Sequence, residues 1–103
     1  SARSGYCQAW VADVYQAVTG SRGSAHCALC AEDMWAVSSD FSQIPVGATV
    51  YGYSSSKYGH VGIYIGNGMV AHNIGEIKIQ SLESWIKTYK GFAWGWENGN
   101  VLI

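Results

Sequence analysis

A β-hairpin pattern in the middle of the chain constrains the fold more than any other feature. Residues 60–65 form a run rich in β-branched and aromatic side chains, and residues 69–74 form a second run after the Gly66-Asn67-Gly68 turn. Two strands joined by so short a turn pair in antiparallel fashion. A turn centred on residue 66 predicts that His60 and His72 lie directly opposite each other, with Cβ atoms about 5 Å apart.

The sequence before the hairpin has the apolar spacing of helices, and further strand-like segments lie on both sides of the hairpin. Apolar residues recur at intervals of three and four over residues 4–19 and again over 25–37, which predicts two helices. Ser4 is the expected N-cap of the first helix and Gly20 its end. The other predicted elements are strands at 49–53, 76–80 and 92–97, and a short helix at 81–86 capped by Ser81. The expected fold is α+β, with N-terminal helices packed on a mostly antiparallel sheet.

The composition bounds the class of protein. A chain of 103 residues, 49% of them apolar, predicts a single domain over residues 1–103 with one hydrophobic core. The formal net charge of −1 indicates no basic surface for nucleic acid or an anionic membrane. No apolar run approaches the roughly 20 residues of a membrane span. Residues 1–4 have no signal-peptide h-region, so we expect any export signal to lie outside the given sequence. We expect the domain to be excised from a longer protein.

Cys7 falls in the first turn of the first predicted helix, where it is a candidate nucleophile. A helix N-terminus and a nearby imidazole both lower the pKa of a thiol. His60 would be the base, and His72 would orient it through the other ring nitrogen. The pattern predicts acyl transfer, in particular peptide or amide hydrolysis through a thioester, with no metal and no cofactor. The structural alternative is that Cys7 begins the buried stripe of the helix and that each histidine fills an ordinary strand position.

The remaining cysteines, Cys27 and Cys30, form a CxxC within the second predicted helix. Because the chain has three cysteines, at least one thiol is expected to stay free, and Cys7 is the candidate. Buried structural thiols are the favoured interpretation of the pair, with a local disulfide or a metal ligand pair as alternatives. A thiol redox protein is a further class, disfavoured because the pair lies inside a helix.

Candidate substrate-binding residues are those close in sequence to the proposed site. They are Tyr6, Trp10, Tyr53, Tyr58 and Asn73. Asn73 is also an alternative third catalytic residue. Because neighbouring strand positions face opposite sides of a sheet, His72 and Asn73 cannot both point at His60, and pairing on one face favours His72.

With these residues in view, the chain resembles the NlpC-type cysteine peptidases of the papain-like superfamily, which are related to CHAP domains. The similarity is carried by Cys7 at a helix start, by the segment 59–68 with its His-Val-Gly-Ile-Tyr-Ile-Gly run, and by Val70-Ala71-His72. Residues 45–51 resemble the strand entry before the histidine. The resemblance implies a papain-like fold with Cys7 as nucleophile, His60 as base and His72 as third member.

The same resemblance implies a substrate and a location. Members of the family typically cleave peptide bonds in the stem peptides of bacterial peptidoglycan. An extracellular or cell-wall location is implied, with release by a phage if the domain belongs to a lysin. Further cell-wall-binding or catalytic domains are expected in the full-length protein.

The chain also departs from the family pattern. Tyr6-Cys7-Gln8-Ala9 stands where many members have Asp-Cys-Ser-Gly, and Ala48 stands where an acidic residue is usual. The Cys-x-x-Trp spacing of Cys7 and Trp10 is similar to CHAP amidase domains. Two alternatives therefore stay open. One is an N-acetylmuramoyl-L-alanine amidase, and the other is a non-catalytic module that binds cell wall through a Trp-lined groove.

Overall fold

An antiparallel sheet with a helix on each face organises the described part of the chain. A computed structural model describes residues 7–20, 32, 35–53 and 59–97. The helices are α1 (Cys7–Thr19) and α2 (Leu82–Tyr89), and the strands are β1 (Ala36–Ser38), β2 (Thr49–Gly52), β3 (His60–Gly66), β4 (Met69–Asn73), β5 (Ile77–Ser81) and β6 (Ala93–Gly95). The six strands lie in the order β1-β6-β2-β3-β4-β5, and each neighbouring pair is antiparallel. The expected α+β class is confirmed at this level.

The two faces of the sheet carry separate apolar clusters. On the α1 face, Val11 and Tyr15 of α1 pack with Tyr51, Val61, Ile63 and Ala93 of the strands. On the α2 face, Trp85 of α2 packs with Ala48, Val50, Val70, Trp94 and Trp96. Since side chains alternate along a strand, Val61 and Ile63 on the α1 face put His60 and Gly62 on the α2 face.

The predicted short helix is confirmed and extends further than predicted. The Ser81 hydroxyl accepts a hydrogen bond from the Ser84 backbone N–H, which is the expected N-cap of α2. The helix runs to Tyr89 and ends at Lys90, whose φ of 51° is left-handed. The Leu82 N–H donates to the Gly68 carbonyl at 2.7 Å and ties the start of α2 to the hairpin turn.

The helices at the N-terminal end agree with the sequence only in part. Helix α1 ends at Thr19 as predicted, with Gly20 at φ 80°, whereas the expected start at residue 4 lies outside the described residues. The second predicted helix, over residues 25–37, lies largely outside the described residues, and its predicted end is too late. Trp35 is helical, but residues 36–38 form β1, which pairs with β6. Gly95 permits this pairing, because a Cβ there would lie 2.2 Å from the Trp35 carbonyl oxygen.

The hairpin forms as predicted, but its register differs. Asn67 and Gly68 have φ values of 52° and 70°, as in a two-residue type I′ turn between the ends of β3 and β4. A bulge precedes the turn, and His72 pairs with Gly62. The prediction that His60 and His72 are directly opposed is therefore wrong, since they are diagonal neighbours. No helix in the described ranges is long and apolar enough to cross a bilayer.

Candidate active site

The two histidines form a hydrogen-bonded pair on the α2 face. His60 is the first residue of β3, and His72 lies on β4 opposite Gly62. His60 Nε2 lies 2.8 Å from His72 Nδ1, and the rings meet edge-on at an angle of 81°. Because His60 contacts His72 through Nε2, its other ring nitrogen, Nδ1, is not engaged by His72. This pair is the centre of the candidate site.

Gly62 makes the diagonal contact possible, because no side chain separates the two rings. A Cβ on Gly62 would lie 2.7 Å from Val70 Cγ1 and 3.2 Å from His72 Cβ. We therefore expect Gly62→Ala to lower the free energy of unfolding by about 1–3 kcal/mol and to displace His72. Urea denaturation measures the first effect, and the imidazole ¹⁵N shifts report the second. Ile65→Val on the same strand is the control, and wild-type stability in Gly62→Ala would contradict the account.

Aromatic side chains of α2 cover the histidine pair. The His60 ring centroid lies 4.3 Å from that of Tyr89 and 5.9 Å from that of Trp85. Gly52, paired with His60 across β2 and β3, lets α2 approach, because a Cβ there would lie 2.6 Å from the Tyr89 carbonyl oxygen. His60 is 6% exposed and His72 is fully buried. The pair is therefore largely shielded from water.

A third side chain continues the chain of hydrogen bonds. His72 Nε2 lies 3.2 Å from Gln80 Oε1, so neighbouring strands β3, β4 and β5 each contribute one member. Gln80 pairs in register with Val70, and Lys78 pairs with His72. Gln80 reaches His72 diagonally, just as His72 reaches His60. The sequence pattern did not single out Gln80, because its role depends on a register that only the folded sheet defines.

Burial keeps both imidazoles neutral near pH 7. Loss of solvent, with a smaller contribution from the nearby His72, lowers the pKa of His60 to about 4. Burial also lowers the pKa of His72, the Lys78 ammonium acts in the same direction, and the hydrogen bond to Gln80 opposes them. Each neutral ring carries one N–H and one lone pair. The pair at rest is therefore equipped to accept a proton.

These lowered pKa values predict a loss of stability in acid. The His60 pKa is about 4 in the folded protein against 6.5 when unperturbed, so the unfolded chain takes up the proton first. Its contribution to stability is complete above pH 6.5 and is lost as the pH falls towards 4. We expect His60 to account for about 2–3 kcal/mol of lost unfolding free energy between pH 7.5 and 4.5. Urea titrations at both pH values should show that His60→Gln loses less unfolding free energy between pH 7.5 and 4.5 than the wild type does. An equal loss in the two proteins would contradict this prediction.

Cys7 is the first residue of α1, as the sequence predicted. Helix α1 packs against β3 and β4, and its side chains Val11 and Tyr15 contact the α1 face, opposite to the histidine pair. The Cys7 side chain lies outside the described part of the structure, so its approach to His60 stays a prediction. Cys27 and Cys30 also lie outside the described residues.

A buried polar contact anchors the first turn of α1. Gln8 Nε2 donates to Glu97 Oε1 at 2.9 Å, and both side chains are buried. Further along the helix, the Tyr15 hydroxyl donates to the Gly47 carbonyl oxygen. The Gln8–Glu97 contact ties the end of the helix that carries Cys7 to the segment after β6, and the Tyr15–Gly47 contact ties the middle of the helix to the segment before β2. Sequence reasoning missed Glu97, for which the only signal is a carboxylate directly after a Trp-rich strand.

The predicted substrate-binding residues fall into different environments. Tyr6 and Tyr58 lie outside the described residues. Trp10 is partly buried against the α1-face cluster. Asn73 is 2% exposed, and its Oδ1 accepts a hydrogen bond from the Gly75 N–H at 3.0 Å. Tyr53 is 49% exposed and stacks on Phe92, with ring centroids 4.9 Å apart.

Comparison with known proteins gives no family assignment. No protein-family model matches the chain, and no curated protein matches it.

Proposed function

We propose that this domain is a cysteine peptidase of the NlpC type that cleaves peptide bonds in the stem peptides of bacterial peptidoglycan. Cys7 is the nucleophile, His60 the base and His72 the residue that orients the base. The observation that carries the proposal is the 2.8 Å contact between His60 Nε2 and His72 Nδ1. With Nε2 engaged by His72, Nδ1 of His60 is the nitrogen that can accept a proton from a thiol. A nucleophile, a base and a group that orients the base require this arrangement.

The reaction proceeds in two steps. His60 Nδ1 takes the proton from the Cys7 thiol, and the sulfur attacks the carbonyl carbon of the scissile bond. As the tetrahedral intermediate collapses, the C–N bond breaks and the imidazolium returns the proton to the leaving amine. Water, deprotonated by the same imidazole, then attacks the thioester carbonyl, the C–S bond breaks, and the imidazolium returns the proton to the sulfur. The products are a carboxylate and the free thiol.

The low pKa of His60 is compatible with this role. A neutral base at rest does not have to lose a proton before it can act. Once the thiolate forms, its negative charge next to the imidazolium favours the charged ring and raises the pKa of His60. The covering rings of Trp85 and Tyr89 exclude water, which strengthens this electrostatic interaction.

The position of Cys7 at the start of α1 serves the nucleophile in a second way. The partial positive charge of a helix N-terminus favours a thiolate. The backbone N–H of Cys7 has no partner within the helix and is the first candidate donor to the oxyanion. The mechanism requires that the first turn of α1 bring Sγ to the end of β3, where His60 lies.

The wider proposal follows the resemblance to the family. We infer an extracellular or cell-wall location, phage release if the domain is part of a lysin, and accompanying cell-wall-binding or catalytic domains. An amidase that cuts between muramic acid and L-alanine is the second candidate, favoured by the Cys7 and Trp10 spacing.

Mass spectrometry of fragments released from purified peptidoglycan tests the proposal. New amino termini within the stem peptides would support a peptidase. Release of intact stem peptides beginning with L-alanine would instead identify an amidase. Sedimentation of the protein with the wall, without any released fragment, would indicate a binding module and would overturn the proposal.

A further inference from the structure

We propose that Gln80, held by Ser84 and Thr88 of α2, is a positioning residue that selects the tautomers of both histidines. Its consequence for catalysis rests on the proposed function, whereas its effect on the imidazole protons does not. The side chains of Gln80, His72 and His60 form one continuous line of hydrogen bonds. The line begins at two hydroxyls on α2.

The hydroxyls of α2 fix the orientation of the Gln80 amide. Thr88 Oγ1 lies 2.9 Å from the Ser84 carbonyl oxygen, which can only accept, so the Thr88 hydroxyl donates there. With its proton used, Thr88 Oγ1 accepts from Gln80 Nε2 at 3.2 Å. Ser84 Oγ accepts from the same amide nitrogen at 2.8 Å. The amide NH₂ group therefore faces α2, and Oε1 faces His72.

This orientation determines where the protons lie on both rings. Gln80 Oε1 can only accept, so the His72 nitrogen 3.2 Å away, Nε2, carries a proton. A neutral His72 protonated on Nε2 has its lone pair on Nδ1, which must accept from His60 Nε2. His60 is then protonated on Nε2, and its lone pair is on Nδ1. The amide thus leaves His60 with a basic Nδ1.

The opposite orientation of the amide would reverse every bond in the line. An NH₂ group facing His72 would require a lone pair on His72 Nε2 and a proton on Nδ1. His72 would then donate to His60 Nε2, and a neutral His60 would carry its proton on Nδ1. That tautomer cannot accept a proton from a thiol at Nδ1, so the choice made by Gln80 decides whether His60 is a base.

Imidazole ¹⁵N shifts of the whole protein near pH 7.5 test the proposal without substrate. We expect His60 and His72 to be protonated on Nε2 in the wild type. Gln80→Leu, which removes the acceptor, should give mixed tautomers, and Gln80→Glu, which keeps an acceptor oxygen, should restore the Nε2–H form. Thr88→Val should also give mixed tautomers, whereas Thr88→Ser, which keeps the hydroxyl, should retain the Nε2–H form. Lys87→Met is the control, because its exposed ammonium contacts only Glu83 among the described side chains.

Hydrolysis assays on the same variants give the second readout. Gln80→Leu should lower kcat by about 10- to 100-fold with little change in KM, the loss found when the partner that orients an imidazole is removed. Unchanged tautomers in Gln80→Leu would overturn the inference even if the wild type is an active peptidase. The opposite combination is also distinguishable. If the Nε2–H tautomers depend on Gln80 but the wild type has no peptidase activity, the inference is upheld and the proposed function is refuted.

Discussion

Replacing Cys7 with serine should reduce the release of peptidoglycan fragments at least about a thousandfold, because a hydroxyl is a far weaker nucleophile next to a neutral imidazole. Serine replaces only the sulfur of cysteine by an oxygen, so the fold should persist. Fragment release measured by mass spectrometry gives the rate. Sedimentation with the insoluble wall shows whether binding survives.

The two other cysteines provide matched controls for this experiment. Cys27→Ser and Cys30→Ser make the same chemical change in the CxxC segment, and both variants should hydrolyse the wall at close to the wild-type rate. If Cys7→Ser retained full activity, the proposed nucleophile would be wrong. If only Cys27→Ser or Cys30→Ser lost activity while remaining folded, the nucleophile would be in the CxxC segment and not at Cys7.

Replacing His60 with glutamine should slow hydrolysis by about 10²- to 10⁴-fold, the usual contribution of a general acid and base. Glutamine fills similar space but cannot take a proton from the thiol or return one to the leaving amine. His72→Gln should cost less, because His72 acts through His60 and is not itself in the line of proton transfer. The same assay of fragment release measures both rates.

His26→Gln is the matched control for the two histidine variants, because it makes the same change at the third histidine of the chain. It should leave the rate within about twofold of the wild type, as is usual for a substitution away from a site. A His60→Gln variant that is folded and fully active would remove His60 from the mechanism. A loss in His72→Gln larger than in His60→Gln would exchange their roles.

Local signals in the sequence were sufficient to predict the hairpin and the start of α2. The Asn67-Gly68 pair favours positive φ at both positions, and Ser81 caps the helix through its own hydroxyl. Both features depend on residues a few positions apart. The same local information placed Cys7 at a helix start.

Contacts between distant segments were not predictable in the same way. The turn falls at Asn67 and Gly68, later than a turn centred on residue 66, and together with the bulge beside Gly66 it pairs His72 with Gly62. The expected direct opposition of the histidines therefore becomes a diagonal contact. Strand β1 replaces the end of a predicted helix because β6 supplies its hydrogen-bond partners. Gln80 joins the site only through the pairing of β4 with β5. Each of these depends on tertiary pairing, which overrides local preference.

The central claim is that His60 activates the Cys7 thiol, and the rate of alkylation of Cys7 by iodoacetamide tests it most directly. Peptide mass spectrometry follows the three cysteines at once, so Cys27 and Cys30 serve as internal references. Between pH 6 and 8, Cys7 should react faster than both references in the wild type, and His60→Gln should slow Cys7 without changing the references, leaving only the advantage that the helix N-terminus gives. A Cys7 rate that is the same in the wild type and in His60→Gln would contradict the account.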